Sequence, residues 1–210
     1  MPYRPITNGA PDLPRVVHAI HRLERYYLEP VSTILRLPMP HYRLTANYHF
    51  VIAQTLLTAI AGASTTLFRE GRNDRQRFEG IIVKFYPWNK EPGNQMAPIS
   101  GANILYELFR CPFVHDLGIN LDQGTHTVNA KVLRVIKNDK GLAWNQIRSL
   151  ERRQRRLEMK PTLIHREDDT VVLHVEPFYW GTRTLFESLT RDRPRMEMAE
   201  AFLARYAHAI

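Results

Sequence analysis

The chain has 210 residues, 44% of them hydrophobic by a broad count, one cysteine and a formal charge of +8. That is apolar content enough for one sizeable core. The lone Cys111 excludes an internal disulfide framework and suits a reducing compartment such as the cytosol, and the lack of a run of about 18 apolar residues argues against a membrane span. The excess charge is arginine, 23 against six lysines; guanidinium pairs bidentately with phosphate and stacks on bases better than an ammonium does, which points to nucleic acid as a partner.

Residues 1–14 are rich in proline and glycine, lack an apolar signal core and read as an extended arm. A helix is predicted to start near Asp12–Pro14, with a capping side chain followed by proline in the first turn. Val16, Val17, Ile20, Leu23 and Tyr27 give it one apolar face; Pro30 is expected to kink or break it, and LPMPH at 37–41 ends it. His18, His21 and Glu24 recur at three-residue spacing on this helix, but nothing nearby completes a metal ligand set, and no metal is expected. Residues 42–69 form the longest apolar stretch and read as a buried helix, with Ala59, Ala61, Gly62, Ala63 and Ser64 small enough for another helix to pack closely.

A polar break, REGRNDRQ, leads into RFEGIIVKFYPW at 77–88, where Phe78, Ile81, Ile82 and Phe85 fit a helix. Residues 89–99 read as a loop with two prolines and a glycine. Then comes SGANILYELFRCPFVHDLGIN, 100–120: Ser100 as a cap, Ile104, Leu105, Leu108 and Phe109 at helical spacing, Arg110, a disturbance at Pro112, His115, and Gly118 as the stop. After Gly118 the texture changes. Residues 125–138 alternate like a strand, and LAWNQIRSLERRQRRLEMK reads as a basic helix. PTLIHRE and TVVLHVEPFYW read as two strands joined by Asp168-Asp169, and two closing helices follow, separated by Pro194.

An arginine followed by histidine after four or five residues is a loose pattern in so basic a chain. Arg15/His21, Arg36/His41 and Arg43/His49 match it as Arg110/His115 does. Context separates the last pair: it closes an amphipathic helix, and an apolar Phe113-Val114 step lies between its two functional groups. The bland reading is a capping arginine and a histidine satisfied by backbone. Arg148, Arg152, Arg153, Arg155 and Arg156 on the basic helix would either lie along a nucleic-acid backbone or form a solvated face paired with Glu151 and Glu158. Phe178, Tyr179 and Trp180 would stack bases or, more commonly for such a cluster, fill a core. Glu158-Met159-Lys160 echoes a metal-nuclease pattern without its acidic partner. The sequence has no phosphate-binding Gly-rich loop, no zinc-type Cys/His array and no serine-nucleophile elbow.

The segment LYELFRCPFVHDLGIN, 105–120, resembles the Arg-polar-x-x-x-His segment of the HEPN superfamily, and the preceding order of long helices resembles it too, over residues 12–120. Cys111 departs from the pattern, standing where a polar residue is usual. The resemblance implies a helical bundle that forms a homodimer, bringing two Arg110/His115 pairs into one cleft. It also implies a metal-independent endoribonuclease without a cofactor or, alternatively, a non-catalytic module that binds nucleic acid, a nucleotide or a protein partner such as an antitoxin. The expected architecture is mainly α: a helical bundle over 12–120, then a smaller α+β region over 121–210 with a short antiparallel hairpin, folding by itself or against the same core.

Overall fold

A computed structural model describes residues 3, 5–6, 12–36, 42–90, 97–110, 125–128, 131–136, 164–167 and 170–206, with backbone alone for 36, 42–48, 90 and the strand residues before Leu173. The described chain is mainly helical. Its helices are α1 (Pro14–Leu23), α2 (Glu29–Arg36), α3 (Tyr42–Ala63), α4 (Asp74–Phe85), α5 (Pro98–Ile104), α6 (Val175–Thr190) and α7 (Arg193–Tyr206). Three π-helical turns interrupt or extend them, at Glu24–Leu28, Ser64–Phe68 and Leu105–Arg110. Strand backbone is assigned at β1 (Thr125–Val128), β2 (Lys131–Ile136), β3 (Ile164–Glu167) and β4 (Thr170–His174), in the order β1-β2-β4-β3.

The first helix begins with proline as expected, but Asp12 is not its cap. The capping position is Leu13, without a side-chain hydrogen bond. The orphan donors are met from the other end of the chain: Arg15 N and Val16 N both donate to Glu200 Oε2 at 2.9 Å, and Arg15 Nη1 donates to Glu200 Oε1 at 3.0 Å. A carboxylate from α7 thus caps α1, where the helix dipole also favours negative charge. Glu200→Ala should lower stability by about 1–2 kcal/mol, read as a shift in the urea midpoint at constant slope; an unchanged midpoint would remove this cap from the account.

Asp12 instead pairs with Arg193, which also reaches Glu197. The hydrogen bonds from Arg193 hold the Asp12 carboxyl at about 2, below its ordinary 3.8. Because the folded value is the lower one, this pair stabilises the fold above pH 3.8 and is lost as pH falls toward 2. The stability difference between the wild type and Asp12→Asn, followed by denaturant titration, should therefore shrink across that interval.

Pro30 neither breaks the helix nor acts alone. A proline ring in a helix removes one donor and crowds the carbonyl four residues back, here that of Tyr26. The π-helical turn Glu24–Leu28 spans that carbonyl, and α2 continues through the proline. The buried helix expected over 42–69 forms as α3 and its π-helical extension, ending at Arg69 in the left-handed region, φ 54°. The run His49–Phe68 is long and apolar enough to cross a membrane by length and composition, yet more than half of it is buried inside the bundle. In the polar break, Gly71 takes φ 114° and Asn73 caps α4, its side chain accepting from Gln76 N at 2.9 Å. The last residues of the break, Asp74–Gln76, already belong to α4.

Three further expectations are corrected. Ser100 lies inside α5, which opens at Pro98 behind an Ala97 cap. The run VEPFYW is not strand: β4 stops at His174 and α6 begins at Val175, so the hairpin predicted over 161–180 is not supported in that form. Pro177 sits in the first helical turn, where its missing N–H costs nothing. Nor does Pro194 separate the last two helices, since α7 starts one residue before it. α6 is buried along nearly its whole length, with Phe178, Tyr179 and Trp180 in the core rather than on a base-stacking surface. One hydrophobic core holds side chains from both sides of residue 120, among them Val16, Ile60, Ile82, Phe109, Phe178 and Leu189.

The N-terminal arm is pinned to that core. Ile6 is buried, its backbone N–H donates to Glu24, and the Tyr3 hydroxyl donates to Glu24 Oε1 at 3.2 Å. Burial first, and the nearby Glu24 carboxylate, push the Tyr3 hydroxyl well above its ordinary range. The Arg183 guanidinium of α6 lies 4.9 Å from the centre of the Tyr3 ring, tying the arm to the central helix.

Candidate functional site

Arg110 ends the π-helical turn that continues α5. Two contacts place this segment. Trp88, whose Nε1 donates to Ile82 O at 3.0 Å, covers Gly101 of α5 so closely that a Cβ there would lie 2.2 Å from Cη2. Apolar Ile104, Leu105, Leu108 and Phe109 then turn inward, as their spacing predicts.

The half-buried Arg110 side chain emerges against aromatic rings. Its guanidinium carbon is 5.0 Å from the centre of the Tyr106 ring and 5.8 Å from that of Phe78, and those rings are 5.6 Å apart. Nη1 lies 3.5 Å from the Tyr106 hydroxyl, at the limit of a hydrogen bond, and Nε is buried with no hydrogen-bond partner among the described residues. The neighbouring carboxylates are engaged elsewhere: Arg75 Nε donates to Glu79 at 2.7 Å and Arg75 Nη2 to Glu107 at 2.6 Å. These bonds, to Glu79 first, hold the Arg75 guanidinium above its ordinary value. Arg110 has no carboxylate partner among the described residues. The arrangement is a cation oriented by ring faces with part of its hydrogen-bonding capacity unspent, suited to an oxyanion such as a phosphodiester.

The sequence places Tyr106 one helical turn before Arg110, so that contact was readable as an i,i+4 pair. Phe78 and Arg75, which bridges to Glu107, come from α4 and carry no comparable signal. His115, the expected partner of Arg110, lies outside the described residues, as do Cys111, Arg148, Arg152, Arg153, Arg155 and Arg156. The competing pairs fare differently. Arg15 is bound to Glu200 and His21 approaches Glu24, with Nδ1 3.6 Å from Oε2. The side chains of residues 36, 41 and 43 are outside the description. Glu24 is committed to the arm, and among the described residues no group of three His, Cys, Asp or Glu side chains is placed to hold a metal.

Compared with models of known families, with curated proteins and with solved structures, the chain matches none of them.

Proposed function

We propose that this protein is a metal-independent endoribonuclease of HEPN type, acting as a homodimer with Arg110 and His115 at its centre. The observation that supports the reading is the setting of Arg110: a guanidinium seated on Tyr106 and Phe78, with the adjacent Glu107 occupied by Arg75. The chemistry needs little else. The 2′-hydroxyl of RNA attacks its own phosphorus, a P–O2′ bond forms, the P–O5′ bond breaks, and the 5′-oxygen leaves with a proton. An imidazole titrating near neutrality, His115, removes or supplies a proton. Arg110 stabilises the charge that grows on the phosphoryl oxygens through paired, charge-assisted hydrogen bonds. A dimer would supply one imidazole as base and another as acid. Arg148, Arg152, Arg153, Arg155 and Arg156 would hold the strand by phosphate neutralisation, so that binding falls steeply with salt.

The test is cleavage of single-stranded RNA by the purified full chain in excess EDTA, with Arg110→Ala and His115→Ala beside it. Cleavage in EDTA that both variants lose supports the reading; cleavage that persists in both rejects it. A second reading rests on Cys111, which stands where the family pattern carries a polar residue. It makes the chain a non-catalytic module that binds nucleic acid, a nucleotide or a partner protein. Protein that retards RNA in a gel at low salt but never cuts it, across many substrates, selects this alternative.

A further inference from the structure

We infer that the cavity between α1 and α7 is a binding site for a small organic anion with a planar aromatic body and one acidic head group. It shares no residue with the support of Arg110, so it stands apart from the nuclease reading. The cavity measures about 890 Å³, within the range of pockets that hold small molecules.

Its chemistry is divided along α1. One row, at four-residue spacing, runs His18, Arg22, Tyr26; the adjacent row puts Ala19 and Leu23 on the floor. His18 and Arg22 are exposed, and neither makes a side-chain hydrogen bond or ion pair among the described residues. Arg15, the other guanidinium of the lining, is already bound to Glu200. None of the described lining residues is acidic. An entering anion therefore meets two uncommitted donors, and the Glu200 carboxylate beside Arg15 is already held by that guanidinium and by the N–H groups that open α1. Tyr26 and Tyr206, 60% and 58% exposed, stand at the mouth with ring surface unburied. Such faces, above an aliphatic floor, suit a flat ring by offset stacking.

A second observation is independent of this lining chemistry. Of the three π-helical turns among the described residues, two border the cavity: one, which also accommodates Pro30, supplies Tyr26 and Tyr27, and the other, with no proline behind it, supplies Thr66. Such turns are uncommon, and they recur at functional sites. The floor also has spare room at Gly62, where a Cβ would meet nothing closer than Leu23 Cδ2 at 3.9 Å.

The experiment is calorimetric titration of the full chain with 1-naphthoate and with neutral 1-naphthamide. One site per chain is expected, with the amide at least about tenfold weaker, because the charge-assisted bonds to Arg22 are lost. Arg22→Glu and Gly62→Leu should each weaken 1-naphthoate by about tenfold or more, one by reversing the charge and the other by filling the floor. Arg72→Glu, an exposed site outside the cavity, should bind like the wild type. Circular dichroism reports whether Gly62→Leu folds; if it does not, Arg22→Glu decides. No saturable binding below about 1 mM, equal affinity for acid and amide, or wild-type affinity in Arg22→Glu would overturn the proposal.

Discussion

Gly181→Ala is expected to destabilise the protein by about 2–4 kcal/mol, although the same change in an ordinary helix interior stabilises by up to about 1 kcal/mol. Packing decides the sign. Gly181 lies in α6 directly beneath Tyr86, and a Cβ there would fall 2.1 Å from both Cζ and the hydroxyl oxygen and 2.3 Å from Cε2. Real atoms do not approach so closely, so the ring must leave. Tyr86 is buried, its hydroxyl donates to Pro177 O at 3.3 Å, and its ring lies 4.8 Å from that of Trp88. Displacing it forfeits that hydrogen bond and ring contact and opens space behind them, each on the order of 1 kcal/mol. The measurement is chemical denaturation of Gly181→Ala, Tyr86→Leu and the double variant. The steric account requires the double variant to be more stable than the sum of the two single losses predicts. Simple additivity, or a stabilised Gly181→Ala, would contradict it.

The same contact explains where the sequence was readable and where it was not. The helices over 14–36, 42–69 and 77–88 carry an apolar stripe against a polar face, or an unbroken apolar run too long for a strand, and they form with boundaries shifted by a few residues. The second half of α6, TRTLFESLT, reads as a closing helix and is one, with Leu185, Phe186 and Leu189 at helical spacing; its first half has neither signature. That opening, VEPFYW, is buried on every side, and its Val-, Phe-, Tyr- and Trp-rich composition favours strand by propensity. The one local hint was Glu176-Pro177, an acid and a proline suited to a first helical turn. Close approach is harder still to read. Gly101 beneath Trp88 and Gly181 beneath Tyr86 are fixed by the absence of a side chain, and the partner lies 13 or 95 positions away in the chain. The capping of α1 by Glu200 is equally non-local; the sequence offered Asp12 as the nearer cap, and Arg193 took it. For Arg110, position and local ring were legible, whereas the bridge that removes Glu107 from its reach required the packing of α4 against the π-helical turn.

Arg110→Ala should reduce RNA cleavage by about 10²–10³-fold, the usual cost of removing a donor aimed at transition-state charge, and His115→Ala by about 10²–10⁴-fold, the span of general acid–base catalysis. The loss should fall mainly on kcat, because a phosphodiester carries its full extra charge only at the transition state. Arg110→Lys keeps the charge but not the paired donors, and should recover only part of the rate. Tyr106 separates chemistry from positioning. Its hydroxyl is 3.5 Å from Arg110 Nη1, too long to contribute much, whereas its ring lies under the guanidinium at 5.0 Å. Tyr106→Phe should therefore cleave like the wild type, and Tyr106→Ala should lose about two- to fivefold, the size of an exposed cation–π contact. If Tyr106→Phe and Tyr106→Ala were equally impaired, the hydroxyl rather than the ring would be orienting Arg110. If neither Arg110→Ala nor His115→Ala slowed cleavage, the guanidinium would be a structural group resting on Phe78 and Tyr106, and the nuclease reading would fall with it.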